Sequence, residues 1–195
     1  MAFQNGEVDI VVPIPDESVP LFESESNAVI DSRTSARVQM FRFNMDSPLM
    51  QDVNLRNAIS YCIDRKGYSD TIAHGTVEPS YGVFPASLSF GGTEGLNLTV
   101  DRFDVDAAKK LLKDAGYQDT DGDGVIEKDG QPVEIKMIAM SSQTGQVQLC
   151  EVLQDQLSQI GIKVNLEVLE NISDARSRVC FKTIKVTKQG YKQDR

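Results

Sequence analysis

Asp119, Asp121 and Asp123 alternate through the segment DTDGDGVIEKDG and are followed by Gly124, which brings three carboxylates onto one tight turn. Oxygen anions gathered this way suit a hard cation such as Ca2+. In an EF-hand loop, ligands come from positions 1, 3, 5, 7, 9 and 12, with glycine at 6 for the bend and a bidentate Glu at 12. Asp119, Asp121 and Asp123 take positions 1, 3 and 5, Gly124 takes 6, the Val125 carbonyl 7 and Glu127 9. Position 12 is Gly130, so the bidentate ligand is missing. The following Pro132–Met137 stretch alternates like a strand, where an EF-hand needs a second helix. Two readings stand: a calcium site made by Asp119, Asp121, Asp123 and Glu127, and an Asp/Gly-rich turn built on residues that tolerate left-handed backbone. No cofactor is otherwise required.

The elements flanking this segment are well marked. Before it, Asp104 is placed to cap a helix, Asp106 sits in the first turn, and Ala107, Ala108, Leu111, Leu112 and Ala115 lead to Gly116 as a left-handed stop. After it, Val133–Met140 reads as a strand, about 145–160 as a helix with Val147, Cys150, Leu153, Leu157 and Ile160 on one face, and Ile162–Leu169 as a second strand. Strand, helix and strand in so short a span predict a βαβ unit with parallel strands, and hence an α/β class with a mixed sheet and flanking helices.

Upstream, Asp52 can cap a helix whose Leu55, Ala58, Ile59, Cys62 and Ile63 form an amphipathic stripe. A second short helical piece runs from Tyr68 to His74, closed by Gly75. Glu7–Pro13 and Arg37–Asn44 read as strands, so residues 1–45 are expected to be strand-rich, 46–175 to form an α/β lobe, and 176–195 to be a basic, poorly ordered tail. Residues 76–99, punctuated by Pro79, Gly82, Pro85, Gly91, Gly92 and Gly95, read as a long loop pinned by Phe84 and Phe90.

Charge narrows the function classes. From Arg176 onward there are seven Lys/Arg against the single acid Asp194, a net +6, which leaves −15 of the total −9 on residues 1–175. An acidic body repels polyanions, so nucleic acid and anionic membrane are not expected partners. Cys62, Cys150 and Cys180 make no metal-ligand or redox pair, and the first two sit among apolar residues. The lone His74 is expected at the surface or a helix end. Neither a nucleophile elbow, a phosphate loop nor an HExxH pair occurs, and Gly91–Gly95 lacks the strand and helix that a phosphate cradle needs. Binding rather than catalysis is therefore expected. Met1–Glu7 shows no secretory leader pattern, so a soluble polypeptide without an export signal is expected from the chain as it stands.

Five ordered blocks carry a further signal: Gly6-Glu-Val-Asp-Ile, Arg42-Phe-Asn, Asp52-Val-Asn-Leu-Arg-Asn-Ala-Ile-Ser-Tyr-Cys-Ile-Asp-Arg-Lys, Asp104 through Tyr117, and Leu153 through Val164. Together they resemble the extracytoplasmic solute-binding proteins of ABC importers for oligopeptides, dipeptides and nickel, over about residues 4–176. The resemblance implies a two-lobed, hinged protein that closes on an oligopeptide or nickel ligand and delivers it to an ABC permease. It also implies that this chain is an internal fragment, mostly the second lobe, with residues 54–169 inside that lobe. Gly6–Ile10 and Arg42–Asn44 would lie near the inter-lobe crossing. Phe43 and Asn44 are the candidate cleft-facing residues, with packing in a hinge strand as the alternative. The stretch after Arg178 departs from the family pattern, as a truncated or frame-shifted terminus would. A homodimer through surface exposed by truncation is a further expectation.

Overall fold

The structure is a computed structural model that describes residues 2–82, apart from 13, 15, 34 and 36, together with 102–143 and 145–170. The Gly91–Gly95 loop with Phe84 and Phe90, Cys180 and the basic tail 176–195 lie outside the described residues.

Helix α3 (Val53–Cys62) forms where the stripe requires it, and Leu55, Ala58, Ile59 and Cys62 are all buried. It is preceded by the single turn α2 (Pro48–Gln51) and followed by α4 (Arg65–Gly67), which runs into a π-helical turn over Tyr68–Ile72. The helix α5 (Val105–Asp114) packs its buried Ala108 and Leu112 against α3. Its start is capped by Asp104, whose carboxylate accepts the Ala107 N–H at 2.8 Å. At its end Gly116 adopts φ 85°, and the Tyr117 N–H reaches back to the Leu112 carbonyl at 3.0 Å, a Schellman stop.

The βαβ unit is present. Strand β3 (Glu134–Met140) pairs in parallel with β4 (Lys163–Leu169), in register from Glu134↔Lys163 to Met140↔Leu169, and α6 (Gln146–Ser158) is the crossover. Pairs Glu134–Lys163 and Lys136–Glu167 put charge on the outer face of the ladder, while Ile135, Met137 and Val164 turn toward the core with Leu157, Ile160 and Ile162. Two further short strands, β1 (Glu127–Lys128) and β2 (Gln131–Pro132), form a separate antiparallel hairpin. The class is α/β, with parallel and antiparallel pairs held in different sheets.

The N-terminal expectation needs correction. Among the described residues no strand precedes Glu127, so neither Glu7–Val12 nor Arg37–Asn44 is a strand, and the described part of residues 1–45 is not strand-rich. Alternation assigns faces, but a strand also needs a neighbour to complete its ladder hydrogen bonds. Val8, Ile10, Met40, Phe41 and Phe43 are consequently exposed. What order the segment has comes from α1 (Val19–Glu23), which weak periodicity concealed. Its Phe22 is buried and meets Phe3 edge to face at 5.6 Å.

Gly161 joins α6 to β4 and closes the fold against the aspartate segment. Its φ is 77°, its carbonyl accepts the Ile126 N–H at 2.9 Å, and a Cβ placed there would stand 2.7 Å from Ile126 Cγ2. Gly161→Ala is expected to destabilise the protein by about 1–3 kcal/mol, from left-handed backbone plus steric overlap, as read by urea unfolding. A neutral result would mean that Ile126 can retreat freely.

Candidate functional site

The aspartate segment begins where the α5 stop ends. Tyr117 is buried, and Gln118 and Glu127 exchange two backbone hydrogen bonds, Gln118 N–H to the Glu127 carbonyl at 3.1 Å and Glu127 N–H to the Gln118 carbonyl at 2.8 Å. These bonds close residues 119–126 into a loop. Inside it, Asp119 Oδ1 accepts the Gly122 N–H at 2.7 Å and Oδ2 the Gly124 N–H at 3.0 Å. Asp121 accepts the Asp123 N–H at 3.1 Å and Asp123 the Val125 N–H at 2.7 Å. Glu127 Oε2 accepts both the backbone N–H and the hydroxyl of Thr120. The turn thus satisfies its own backbone through side-chain carboxylates.

The same four residues, Asp119, Asp121, Asp123 and Glu127, each offer an oxygen that lies within 4.8 Å of the others. Calcium–oxygen bonds of about 2.3–2.6 Å allow ligand oxygens on opposite sides of one ion to stand roughly 5 Å apart, so the spacing is compatible with a shared cation. The expected departure from an EF-hand also holds: after Glu127 comes the β1–β2 hairpin rather than a helix.

One polar cluster that holds this loop in place had no local sequence signal. Asp52 Oδ1 accepts the Asn54 N–H at 2.8 Å as the α3 cap, while Oδ2 accepts the Tyr117 hydroxyl at 2.8 Å and the Lys128 ammonium at 3.0 Å. Lys128 Nζ also donates to the Ala115 carbonyl at 2.9 Å and stands 4.3 Å from the Tyr117 ring centroid. Burial works against ionisation of Asp52, yet hydrogen bonds from Tyr117, Lys128 and the Asn54 N–H outweigh it and hold the carboxyl down to about 2. Burial and the Asp52 carboxylate together raise the Tyr117 phenol. The aspartate hairpin, the end of α5 and the start of α3 therefore meet at one carboxylate.

The remaining candidates behave differently. Phe43 and Asn44 lie on the exposed segment before α2, where the Asn44 side-chain oxygen accepts the Asp46 N–H at 3.1 Å and its carbonyl accepts the Ser47 N–H at 3.0 Å. They are brought to none of the acidic residues by any contact described. Cys62 and Cys150 are buried free thiols; Cys62 donates to the Gln156 carbonyl at 2.9 Å, tying α3 to α6, and burial pushes it up to about 11. His74 is exposed beside Gly75 with φ 48°. At the carboxyl ends of β3 and β4, the Met140 N–H is held by the Gln146 side chain at 2.7 Å and the Ser141 N–H by the Leu169 carbonyl at 2.9 Å, with Ser142 and Gln143 exposed beyond.

Comparison with known proteins bears on this architecture. The family profile described as bacterial extracellular solute-binding proteins, family 5, middle region, matches residues 1–189. The chain belongs to this solute-binding family. The oligopeptide-binding protein AppA of Bacillus subtilis is 27% identical over 167 residues, covering 86% of this chain and 30% of AppA. The nickel-binding periplasmic protein of Escherichia coli is 24% identical over 172 residues, covering 85% of this chain and 32% of its own length. Among solved structures, NikA from Brucella suis in complex with Fe(III)-EDTA superposes with a TM-score of 0.74 at 24% identity, over 89% of this chain and 35% of that one. This family member thus spans about a third of the length of the relatives it matches, and it shares the periplasmic-binding-protein fold over that span. No helix among its described residues is long and apolar enough to cross a membrane.

Proposed function

We propose that this chain forms most of the second lobe of an extracytoplasmic solute-binding protein of an ABC importer, taking up an oligopeptide or a nickel complex for a membrane permease by binding, without catalysis. The observation that carries this reading is the parallel β3–β4 pair, whose carboxyl ends open on the exposed Ser142 and Gln143. In open α/β sheets ligands bind beyond the carboxyl ends of the strands, so this edge is the one that would face a cleft. The opposite wall would come from sequence outside the matched third of the relatives. Phe43 and Asn44 would join the cleft rim once their segment gains strand partners. In the isolated chain the bare Met40, Phe41 and Phe43 stripe is where a second copy would dock.

A lobe alone closes on nothing, so isothermal titration of the chain with di- to pentapeptides and with Ni2+ is expected to show no binding tighter than about millimolar. Saturation of one site at micromolar ligand would overturn the single-lobe reading.

A second reading, a calcium-binding loop at Asp119, Asp121, Asp123 and Glu127, is favoured by the gathering of four carboxylate oxygens within 4.8 Å. It predicts that excess Ca2+ raises the melting temperature by roughly several degrees, through preferential binding to the folded state, and that Asp121→Ala abolishes the rise. An unchanged melt would leave the segment as a turn alone.

A further inference from the structure

Four Asn–Gly or Asp–Gly steps occur in the chain: Asn5–Gly6, Asp121–Gly122, Asp123–Gly124 and Asp129–Gly130. At such a step the glycine amide nitrogen can close on the preceding side-chain carbonyl, because glycine carries no Cβ to obstruct the ring. Closure requires the nitrogen to give up its proton and to swing toward that side chain.

The four steps differ in what holds the glycine N–H. Gly6 donates to the Phe3 carbonyl at 3.0 Å. Gly122 and Gly124 donate to the two oxygens of Asp119, at 2.7 and 3.0 Å. An anion beside these amides disfavours the deprotonated nitrogen that must attack, and the hydrogen bonds fix the backbone against the swing. Gly130 is different: it is exposed at the tip of the β1–β2 hairpin, and its N–H meets no acceptor among the described residues. Asp121 and Asp123 are as exposed as Asp129, so exposure alone does not separate them.

We propose that Asp129 is the site of spontaneous aspartate isomerisation in this chain, and that Asp119 protects Asp121 and Asp123 from the same reaction by holding the two glycine amides they would need. In the first step the Gly130 nitrogen bonds to Asp129 Cγ, its proton is lost, and the carboxyl hydroxyl leaves as water. Hydrolysis of the cyclic imide consumes one water; opening at the former main-chain carbonyl routes the backbone through the side-chain methylene as isoaspartate. Neither oxidant nor reductant is involved. The extra backbone atom falls in a two-residue turn where Asp129 and Gly130 both have positive φ, 52° and 73°, as a tight hairpin demands. Register between Lys128 and Gln131 is lost, and with it the placement of the Lys128 ammonium on Asp52.

The test is incubation of the intact chain at neutral pH and physiological temperature, followed by enzymatic methylation of isoaspartyl carboxyls and peptide mapping. Cleavage at glutamate separates residues 128–134 from the peptide carrying Asp121 and Asp123. Label is expected to concentrate in 128–134, several-fold over the other peptide, and to disappear from 128–134 in Asp129→Ser, which removes the side-chain carbonyl without adding a glutamate. Asp119→Ala, which releases Gly122 and Gly124, is expected to bring label to Asp121 and Asp123. In denaturant the unaltered chain should label at all three aspartates. Equal labelling of the three in the folded chain, or a preference for Asp129 that persists in denaturant, would overturn the proposal.

Discussion

Replacing Leu55 with alanine is expected to remove about 2–5 kcal/mol of unfolding free energy, from lost apolar transfer and the cavity left behind. Leu55 is fully buried on α3, in a cluster that takes Ala108 and Leu112 from α5, Tyr117 from the loop that follows, and Leu157, Ile162 and Val164 from the βαβ unit. The cluster that contains this side chain thus draws on elements from both halves of the described sequence. Relaxation is limited because its neighbours are themselves packed, so the upper part of that range applies. Val53, on the same helix but 52% exposed, supplies the control: Val53→Ala is expected to stay within about 0.5 kcal/mol. Urea unfolding reads both, and a Leu55→Ala loss below about 1 kcal/mol would show that α3 is not part of the cooperative core.

Asp52→Ala is expected to cost about 2–4 kcal/mol, because one deletion removes the α3 cap and leaves the buried Tyr117 hydroxyl without its acceptor. Lys128 keeps the Ala115 carbonyl but loses its counter-ion. Acidity provides an independent readout. The Asp52 carboxyl is held at about 2 in the folded protein against an ordinary value of 3.8, so the unfolded chain takes up the proton first as pH falls. The stabilisation is therefore fully present above about pH 4 and is lost as pH drops through about 2, amounting to roughly 2 kcal/mol. Asp52→Asn is expected to unfold with a smaller acid-dependent loss over that window than the unaltered chain. Parallel acid profiles for the two proteins would remove Asp52 from the account.

Much of the fold was legible because its signals are local. The stripe Leu55, Ala58, Ile59, Cys62 recurs at helical spacing, Asp52 and Asp104 precede helices as capping residues must, and Gly116 and Gly161 stand where Schellman stops need left-handed backbone. The parallel β3–α6–β4 unit followed from one change of period and back. Where the reading failed, the deciding partner was not local. Arg37–Asn44 alternates as a strand would, but no described segment completes its ladder, so Phe41 and Phe43 stand exposed. The short α1 was hidden for the converse reason, since its order comes from Phe3 reaching Phe22 rather than from its own periodicity.

The aspartate segment divides along the same line. Its residues, its bend at Gly124 and the strand-like continuation from Val133 were set by sequence alone, because Asp and Gly choose turn backbone within a few residues of themselves. The four carboxylate oxygens within 4.8 Å of one another and the Asp119 bonds to the Gly122 and Gly124 amides are equally local, all within residues 119–127. Tertiary structure decided where that turn is held: it moored the hairpin to Asp52, 65 residues before Tyr117 and 76 before Lys128. Pairings across such separations are chosen by the packing of whole helices against one another, and no short-range pattern of residue types encodes them.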